Sequence, residues 1–257
     1  MTIVMPEDLS ADLRMLRMTS FATHFYNEIE ADTEAQATPE ELFYNAVKAA
    51  VDERKANRAA KAVKTAGFPY PQATISDLID CADRNINTGK LRRLIRQNWR
   101  LDPANIRLQA VSGTGKTYLA CLIGVAACQN GHSVTYARFD KLLEQLAHYD
   151  VHSTEYQTKM EELINVDLLI LDDFMTTPID TRGQMDLTKI VFDRHERLPI
   201  MIVSQSTASF WRKRMPDAVS GDSIVNRLNT GYTFKLGDYD IRKKITTVNL
   251  DTELTAD

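Results

Sequence analysis

Ser112-Gly113-Thr114-Gly115-Lys116-Thr117 is the stretch from which the rest of the sequence is read. Glycines on either side of a threonine let successive backbone N–H groups turn inward and form a concave cradle for phosphate oxygens. A helix is expected to open at about Lys116, and its N-terminus adds unpaired N–H groups and partial positive charge. Lys116 is placed to reach β- and γ-phosphates, and the Thr117 hydroxyl to ligate Mg²⁺. Ser112, Gly113, Thr114, Gly115, Lys116, Thr117 and Tyr118 are therefore the candidate nucleotide contacts. The full pattern is G-x-x-x-x-G-K-[ST], and its first glycine would fall at position 110. Ala110 stands there, and its Cβ is expected to crowd a sharp bend off the preceding strand. On these residues alone, a chance Gly-Lys-Thr turn before an ordinary helix is the alternative.

From residue 104 strands alternate with helices. Residues 105–110 form the strand that feeds the loop, although Arg107 and Gln109 make it more polar than a central parallel strand should be. Residues 116–129 form the next helix, and Gly131 stops it. Cys121 and Cys128 lie seven apart and share its buried face. With Cys81 they are too few and too scattered for a disulfide framework or a zinc site. A strand over 134–138 and a helix through Leu142, Leu143 and Leu146 follow.

Val166-Asp167-Leu168-Leu169-Ile170-Leu171-Asp172-Asp173-Phe174 then reads as a buried parallel strand. It ends in two carboxylates at the strand's carboxyl end, where ligands bind in open α/β sheets. One acid suits Mg²⁺, directly or through water; the next suits an attacking water. The bland alternative is that the pair caps a helix. Residues 184–196 are helical, and 198–206 make a third apolar strand, at whose polar tip Gln205 can read the γ-phosphate or the water. The alternation implies right-handed crossovers and a parallel sheet.

Ahead of this region, Leu9, Leu13, Leu16, Phe21, Phe25 and Ile29 lie close to helical spacing. Thr38-Pro39-Glu40-Glu41 is a helix start, with Thr38 as N-cap and Glu41 closing a capping box. That helix carries Phe43, Val47 and Val51, then Arg54, Lys55, Arg58, Lys61 and Lys64. The basic row is either a solvated face or a sequence-independent contact to a phosphate backbone. Gly67-Phe68-Pro69-Tyr70-Pro71 ends it. Residues 1–71 are thus expected to be a small helical domain, 72–103 a connector and 104–257 the nucleotide domain. In the connector, Lys90, Arg92, Arg93, Arg96 and Arg100 accompany Leu91, Leu94, Ile95 and Trp99, as in an amphipathic helix. Its apolar side packs on the next domain, and its basic side is a weaker nucleic-acid candidate.

At 257 residues the chain can hold a large domain and a small accessory one. Apolar residues at 44% and charged residues at 26% are ordinary for a soluble globular protein, and the net charge of −4 does not mark a nucleic-acid binder overall, although local basic patches survive such a total. No apolar run approaches the roughly 20 residues needed to span a bilayer. With Pro6, Glu7 and Asp8 near its start, the sequence shows no signal-peptide core, so the cytoplasm is the expected compartment and no membrane partner is expected.

Together these segments resemble the AAA+ ATPases, and more closely the IstB family of transposition helper ATPases, with the DnaC helicase loaders as relatives. The resemblance runs from the basic helix and Phe68-Pro69-Tyr70-Pro71 through Gly113–Thr117, residues 169–174, Ile202-Val203-Ser204-Gln205 and Phe210-Trp211. It continues to Ile224-Val225-Asn226-Arg227-Leu228 and Arg242-Lys243-Lys244. It implies an α/β fold, an AAA+ P-loop NTPase with a parallel sheet flanked by helices after a small all-helical N-terminal domain. It also implies ATP and Mg²⁺ as cofactors. Lys116 and Thr117 would be the Walker A lysine and hydroxyl, and Asp172 the Walker B metal residue. Asp173 stands where many relatives have Glu; one methylene shorter, it suggests slow hydrolysis. Gln205 matches sensor 1, Arg227 the arginine finger that acts on ATP bound to a neighbouring subunit, and Arg242 sensor 2, at a spacing from Gly237 about one residue longer than usual.

A finger donated to a neighbour needs a head-to-tail contact, which generates rings or open spirals. The leading expectation is an ATP-dependent homo-oligomer that coats duplex DNA without sequence preference and helps a cognate transposase choose its target. Arg54, Lys55, Arg58, Lys61, Lys64, Arg92, Arg93 and Arg96 would be its DNA contacts, many weak copies adding by multivalency. The alternatives are a DnaC-like replicative helicase loader and a nucleotide-binding scaffold that never turns over, the latter suggested by Ala110 and Asp173. A small-molecule kinase lacks a candidate acceptor pocket or lid.

Overall fold

The computed structural model describes residues 5–32, 36–78, 81–238 and 240–241. The chain divides into two compact units, Met1–Lys61 and Ala62–Asp257. The first holds α1 (Glu7–Met15), α2 (Thr19–Ala31) and most of α3 (Pro39–Ala66). The helical spacing over 9–29 is thus split between two helices. The break is a helix-ending turn in which the Met18 N–H reaches the Leu13 carbonyl at 2.8 Å and the Arg17 N–H reaches that of Arg14 at 3.0 Å. Arg17 takes the left-handed position (φ 57°) that glycine usually fills, so composition gave no warning of it. Phe21 packs edge-on against Phe43 at 5.3 Å and joins α2 to α3. The capping box forms: the Glu41 N–H donates to Thr38 Oγ1 at 3.3 Å, and the Thr38 N–H to Glu41 Oε2 at 2.9 Å.

The second unit contains α4 (Thr88–Ile95), β1 (Ile106–Gln109), α5 (Lys116–Gln129), β2 (Val134–Arg138), α6 (Phe139–Ala147), α7 (Thr154–Asn165) and β3 (Leu168–Asp172). It continues with α8 (Thr181–Arg194), β4 (Ile200–Ser204), α9 (Ala208–Arg212), α10 (Ala218–Leu228) and β5 (Tyr232–Lys235). The strands form one sheet in the order β2-β3-β4-β1-β5, and every pairing is parallel.

The continuous apolar runs are explained by two cores, one on each face. Along β3, Leu168 and Ile170 join the core built with α5, while Leu169 and Leu171 join the core built with α6, α8 and α10. Successive side chains leave a strand on opposite faces, so a strand covered on both sides is apolar throughout. The polarity of β1 has the complementary cause. Its Ile106 and Leu108 enter the α5 core, but none of its residues enters the other. On that face Arg107 is half-buried and its Nη2 donates to Thr233 Oγ1 on the edge strand at 3.0 Å.

The backbone at Ala110 does not take the left-handed conformation that favours glycine. Its N–H continues the strand ladder to the Ser204 carbonyl at 3.3 Å, and the left-handed region is used at Gly113 (85°) and Gly115 (78°) instead. The connector helix is shorter than its apolar pattern suggests: α4 stops at Ile95, and Trp99, fully buried, sits in the turn that follows. Cys121 and Cys128 are both buried. Among the described residues, no helix is long and apolar enough to cross a membrane.

Candidate nucleotide-binding site

β1 carries the chain to the carboxyl edge of the sheet, where residues 110–115 turn and α5 begins. A cleft of about 490 Å³ opens there, lined by Ser112, Gly113, Gly115, Lys116, Thr117, Tyr118, Asp173 and Gln205 among others. Residues read from three separate stretches of sequence therefore converge. Thr114 is fully buried and its Oγ1 donates to the Val111 carbonyl at 3.0 Å, so its side chain braces the loop and only its backbone is available to a ligand. Lys116 is 7% exposed, and its Nζ donates to the Val111 carbonyl at 2.6 Å. At Gly115 the left-handed φ of 78° favours glycine, and an added Cβ would lie 2.7 Å from Arg84 Nη2 and 2.8 Å from Ile241 Cδ1, so both side chains would have to shift. Left-handed glycines, a helix N-terminus and a sheltered ammonium group fit a polyphosphate.

Behind the loop, Thr117 Oγ1 donates to Asp172 Oδ2 at 2.7 Å. The Tyr136 hydroxyl donates to the same oxygen at 2.7 Å, and the Asp173 N–H to Oδ1 at 2.8 Å. Burial and the Asp172 charge push the Tyr136 phenol far above its ordinary range, so it stays a donor. A hydroxyl and a carboxylate are hard oxygen donors that suit Mg²⁺. Among the described residues no group of three or more His, Cys, Asp and Glu could form a metal cage.

Asp173 does not cap a helix: Asp180 caps α8, accepting the Gly183 N–H at 2.7 Å. Asp173 instead lines the cleft in a left-handed conformation (φ 52°). Burial, then the Asp172 charge, raise its carboxyl above the usual range, while Arg138, with Nε 3.7 Å from Oδ2, opposes the rise. Gln205 is exposed at the tip of β4.

Arg227 lies outside this cluster. It occupies the last turn of α10, its Nη1 donates to the Ser223 carbonyl at 3.1 Å, and its guanidinium carbon lies 3.8 Å from the Phe192 ring centre. Its carbonyl accepts Asn105 Nδ2 at 2.9 Å, just before the amino end of β1, whereas the phosphate loop follows the carboxyl end. Arg242 falls outside the described residues. Arg54, Lys55, Arg58 and Lys61 are exposed on α3 within the first unit, and Lys64 is exposed further along that helix. Arg92, Arg93 and Arg96 are exposed, while Leu91 and Leu94 on α4 are buried.

Four contacts were not readable from the sequence: those of Tyr136, Arg138, Arg84 and Phe192. Tyr136 and Arg138 share one face of β2 by simple alternation, but which strand neighbours β3 was not readable. Arg84 belongs to no motif. Phe192 looks like any apolar residue of an amphipathic helix. Trp211, by contrast, is a core residue: fully buried, it packs edge-on against Phe174 and donates from Nε1 to Ser204 Oγ at 3.1 Å.

The sequence model of the family described as "IstB-like ATP binding protein" matches residues 11–244. The chain belongs to the IstB-like ATP-binding family. A family relative, the "putative insertion sequence ATP-binding protein y4uH" of Sinorhizobium fredii (strain NBRC 101917 / NGR234), is 32% identical over 175 residues, covering 68% of this chain and 70% of the relative. Among solved structures, DnaI aligns with a TM-score of 0.57 at 20% identity, over 64% of this chain and 91% of DnaI. AMPPCP-bound DnaA from Aquifex aeolicus aligns with a TM-score of 0.54 at 23% identity, over 71% of this chain and 56% of DnaA. At these identities the two structures establish the shared P-loop AAA+ fold.

Proposed function

We propose that this IstB-like chain is a cytoplasmic, Mg²⁺-dependent ATPase that assembles head to tail on duplex DNA and assists a transposase in selecting its target. The observation that carries the reading is the placement of Arg227. The last turn of α10 is tied to the amino end of β1, and the strand's four residues, about 13 Å at ~3.3 Å each, separate that end from the phosphate loop. A guanidinium resting on Phe192 there suits a neighbouring subunit's nucleotide rather than its own. Such a contact is heterologous, and repetition gives a ring or an open spiral. The Sinorhizobium relative is named for its association with an insertion sequence, which supports the transposition role.

Within the cleft, the loop amides and Lys116 would bind the β- and γ-phosphates. Thr117 and Asp172 would hold Mg²⁺, which when bound neutralises charge developing on the phosphates. Asp173 and Gln205 would orient the attacking water. The reach of Asp173 is one methylene short of a glutamate, in keeping with slow turnover. Its left-handed backbone also favours Asp, which tolerates that conformation better than most residues. The exposed cations of α3 and α4 would neutralise DNA phosphates in repeated copies along an assembly.

Electron microscopy of the protein with duplex DNA and a non-hydrolysable ATP analogue tests this reading. A nucleotide-dependent spiral or ring on DNA of arbitrary sequence is expected. A monomer under those conditions overturns it, and preference for single-stranded DNA with capture of a helicase replaces it with the loader role.

A further inference from the structure

Phosphate loops pose a bookkeeping problem for backbone groups. If the N–H groups face the ligand, the carbonyls face away and need partners of their own. Two consecutive carbonyls of this loop find them in segments remote in sequence. Arg84 Nη2 donates to the Thr114 carbonyl at 3.0 Å, and the Ile241 N–H donates to the Gly113 carbonyl at 3.0 Å. The two segments are themselves joined, because the Arg84 carbonyl accepts the Gly237 N–H at 2.9 Å. Arg84 is 1% exposed, and its guanidinium packs so closely on Gly115 that no Cβ fits between them.

We propose that Arg84 is a positioning residue for nucleotide binding, fastening the phosphate loop to the segment before β1 and the segment after β5. The proposal rests on the nucleotide reading of the cleft. Arg84 is among the residues that line the cleft, but it is almost wholly covered and its Nη2 is committed to the Thr114 carbonyl, so its part is to hold the shape of the loop. The planar, rigid fork of arginine suits this task; lysine carries the same charge on a flexible stem without the fork. Nucleotide affinity therefore depends on the contacts of Arg84 with Thr114 and Gly237 and of Ile241 with Gly113, which lie outside the phosphate loop itself.

The test is the thermal melting of the full chain with and without Mg²⁺ and a non-hydrolysable ATP analogue. Ligand-induced stabilisation grows as RT ln(1 + [L]/Kd), so it reports affinity separately from the stability of the free protein. Arg84→Met is expected to weaken the analogue at least about 10-fold, with Arg84→Lys between Met and wild type. Gly237→Ala leaves the guanidinium in place but puts a Cβ 2.9 Å from the Asp83 carbonyl, and it too is expected to weaken binding. If Arg84→Met fails to fold, Arg84→Lys and Gly237→Ala decide. A wild-type ligand shift in Arg84→Met, or in both other variants, overturns the role. So does full rescue by lysine, because charge alone would then suffice. Absence of any shift in the wild-type protein instead removes the nucleotide reading; loss in Lys116→Ala with retention in Arg84→Met removes only Arg84.

Discussion

The guanidinium carbon of Arg227 stands 3.8 Å from the centre of the Phe192 ring, stacking the last turn of α10 on α8. Phe192 is 42% exposed, so the pair lies at the surface with the cation half-buried. The ring limits where the guanidinium can go without neutralising it, which suits the proposed role of reaching a neighbouring subunit's phosphate. Cation–π contacts at such sites contribute about 0.5–1 kcal/mol, too little to matter much for folding.

On the proposed finger role, Arg227→Ala should leave melting temperature and ATP affinity nearly unchanged while lowering turnover of the assembled protein on the order of 10³-fold, the low end of what arginine fingers supply. Phe192→Ala should cost a smaller factor, about 2–5-fold, because only the orientation of the cation is lost. Steady-state hydrolysis measured beside nucleotide binding separates the two effects. Undiminished turnover in Arg227→Ala would rule out a finger at this position.

Tyr136 is a second testable contact. Its hydroxyl and that of Thr117 both donate to Asp172 Oδ2. If Thr117 turns toward Mg²⁺, Tyr136 is the side chain left, beside the Asp173 N–H, to fix the orientation of the carboxylate. Tyr136→Phe removes that donor and little volume. Loss of an orienting partner beside a metal ligand typically costs about 10-fold or more in metal affinity. The Mg²⁺ midpoint for nucleotide-induced stabilisation should rise by about that factor, with the metal-free melting curve little changed. An unmoved midpoint would make Tyr136 a packing residue only.

How much of this was legible follows from the length scale of each signal. The phosphate loop, the Asp172–Asp173 pair and Gln205 are local patterns, each tied to a strand end, and an alternating β/α order brings strand ends to one edge. Their convergence could be expected without coordinates. The order β2-β3-β4-β1-β5 could not, and with it went the meeting of Tyr136 and Asp172. Arg84 was invisible because its partner is a backbone carbonyl, which no residue identity advertises. The polarity of β1 is anomalous for a central parallel strand, and its cause, a face that joins no core beside the edge strand β5, depends on a strand order that the sequence does not display. Arg17 shows the limit from the other side: a non-glycine residue can end a helix in the left-handed conformation when the surrounding hydrogen bonds favour it.

Asp167 gives the stability a defined pH dependence. It is 5% exposed, receives a two-pronged contact from Arg100 at 2.6 and 2.8 Å, and accepts the Ser133 N–H at 2.7 Å and hydroxyl at 2.9 Å. Burial disfavours its charge, but the Arg100 and Ser133 contacts outweigh burial and hold the carboxyl below the usual range. A depressed carboxylate stabilises the fold at pH values above its unfolded value of about 3.9, and that contribution is lost as pH falls through the lower folded value. Asp167→Asn should destabilise the protein by about 2–3 kcal/mol at neutral pH. The gap from wild type should narrow as pH drops below about 4. Urea titrations at several pH values would reveal this, and a gap constant down to acid pH would contradict it.

Arg194 tests a different kind of bond. It is fully buried, yet its guanidinium donates to carbonyls: Leu163, Ile164 and Val166 from Nη1 at 2.8, 3.1 and 2.7 Å, and Pro199 from Nη2 at 2.6 Å. Those four carbonyls lie at the end of α7, in the turn into β3 and at the entrance to β4, so one side chain ties the amino ends of two adjacent inner strands. Arg194→Met keeps an unbranched apolar stem but leaves the carbonyls without these donors, each at a cost of about 1–3 kcal/mol if no water replaces the arginine. With partial relaxation a net loss of about 3–4 kcal/mol is expected, and for a unit of this size that lowers the melting temperature by roughly 6–15 °C. Lysine can serve fewer acceptors from a point charge and should recover only part of the loss. Because these contacts lie at the amino ends of the strands, away from the phosphate loop, nucleotide affinity measured well below the melting transition should be unaffected. A Met variant that melts within about 2 °C of wild type would mean that the four carbonyls are satisfied without the arginine.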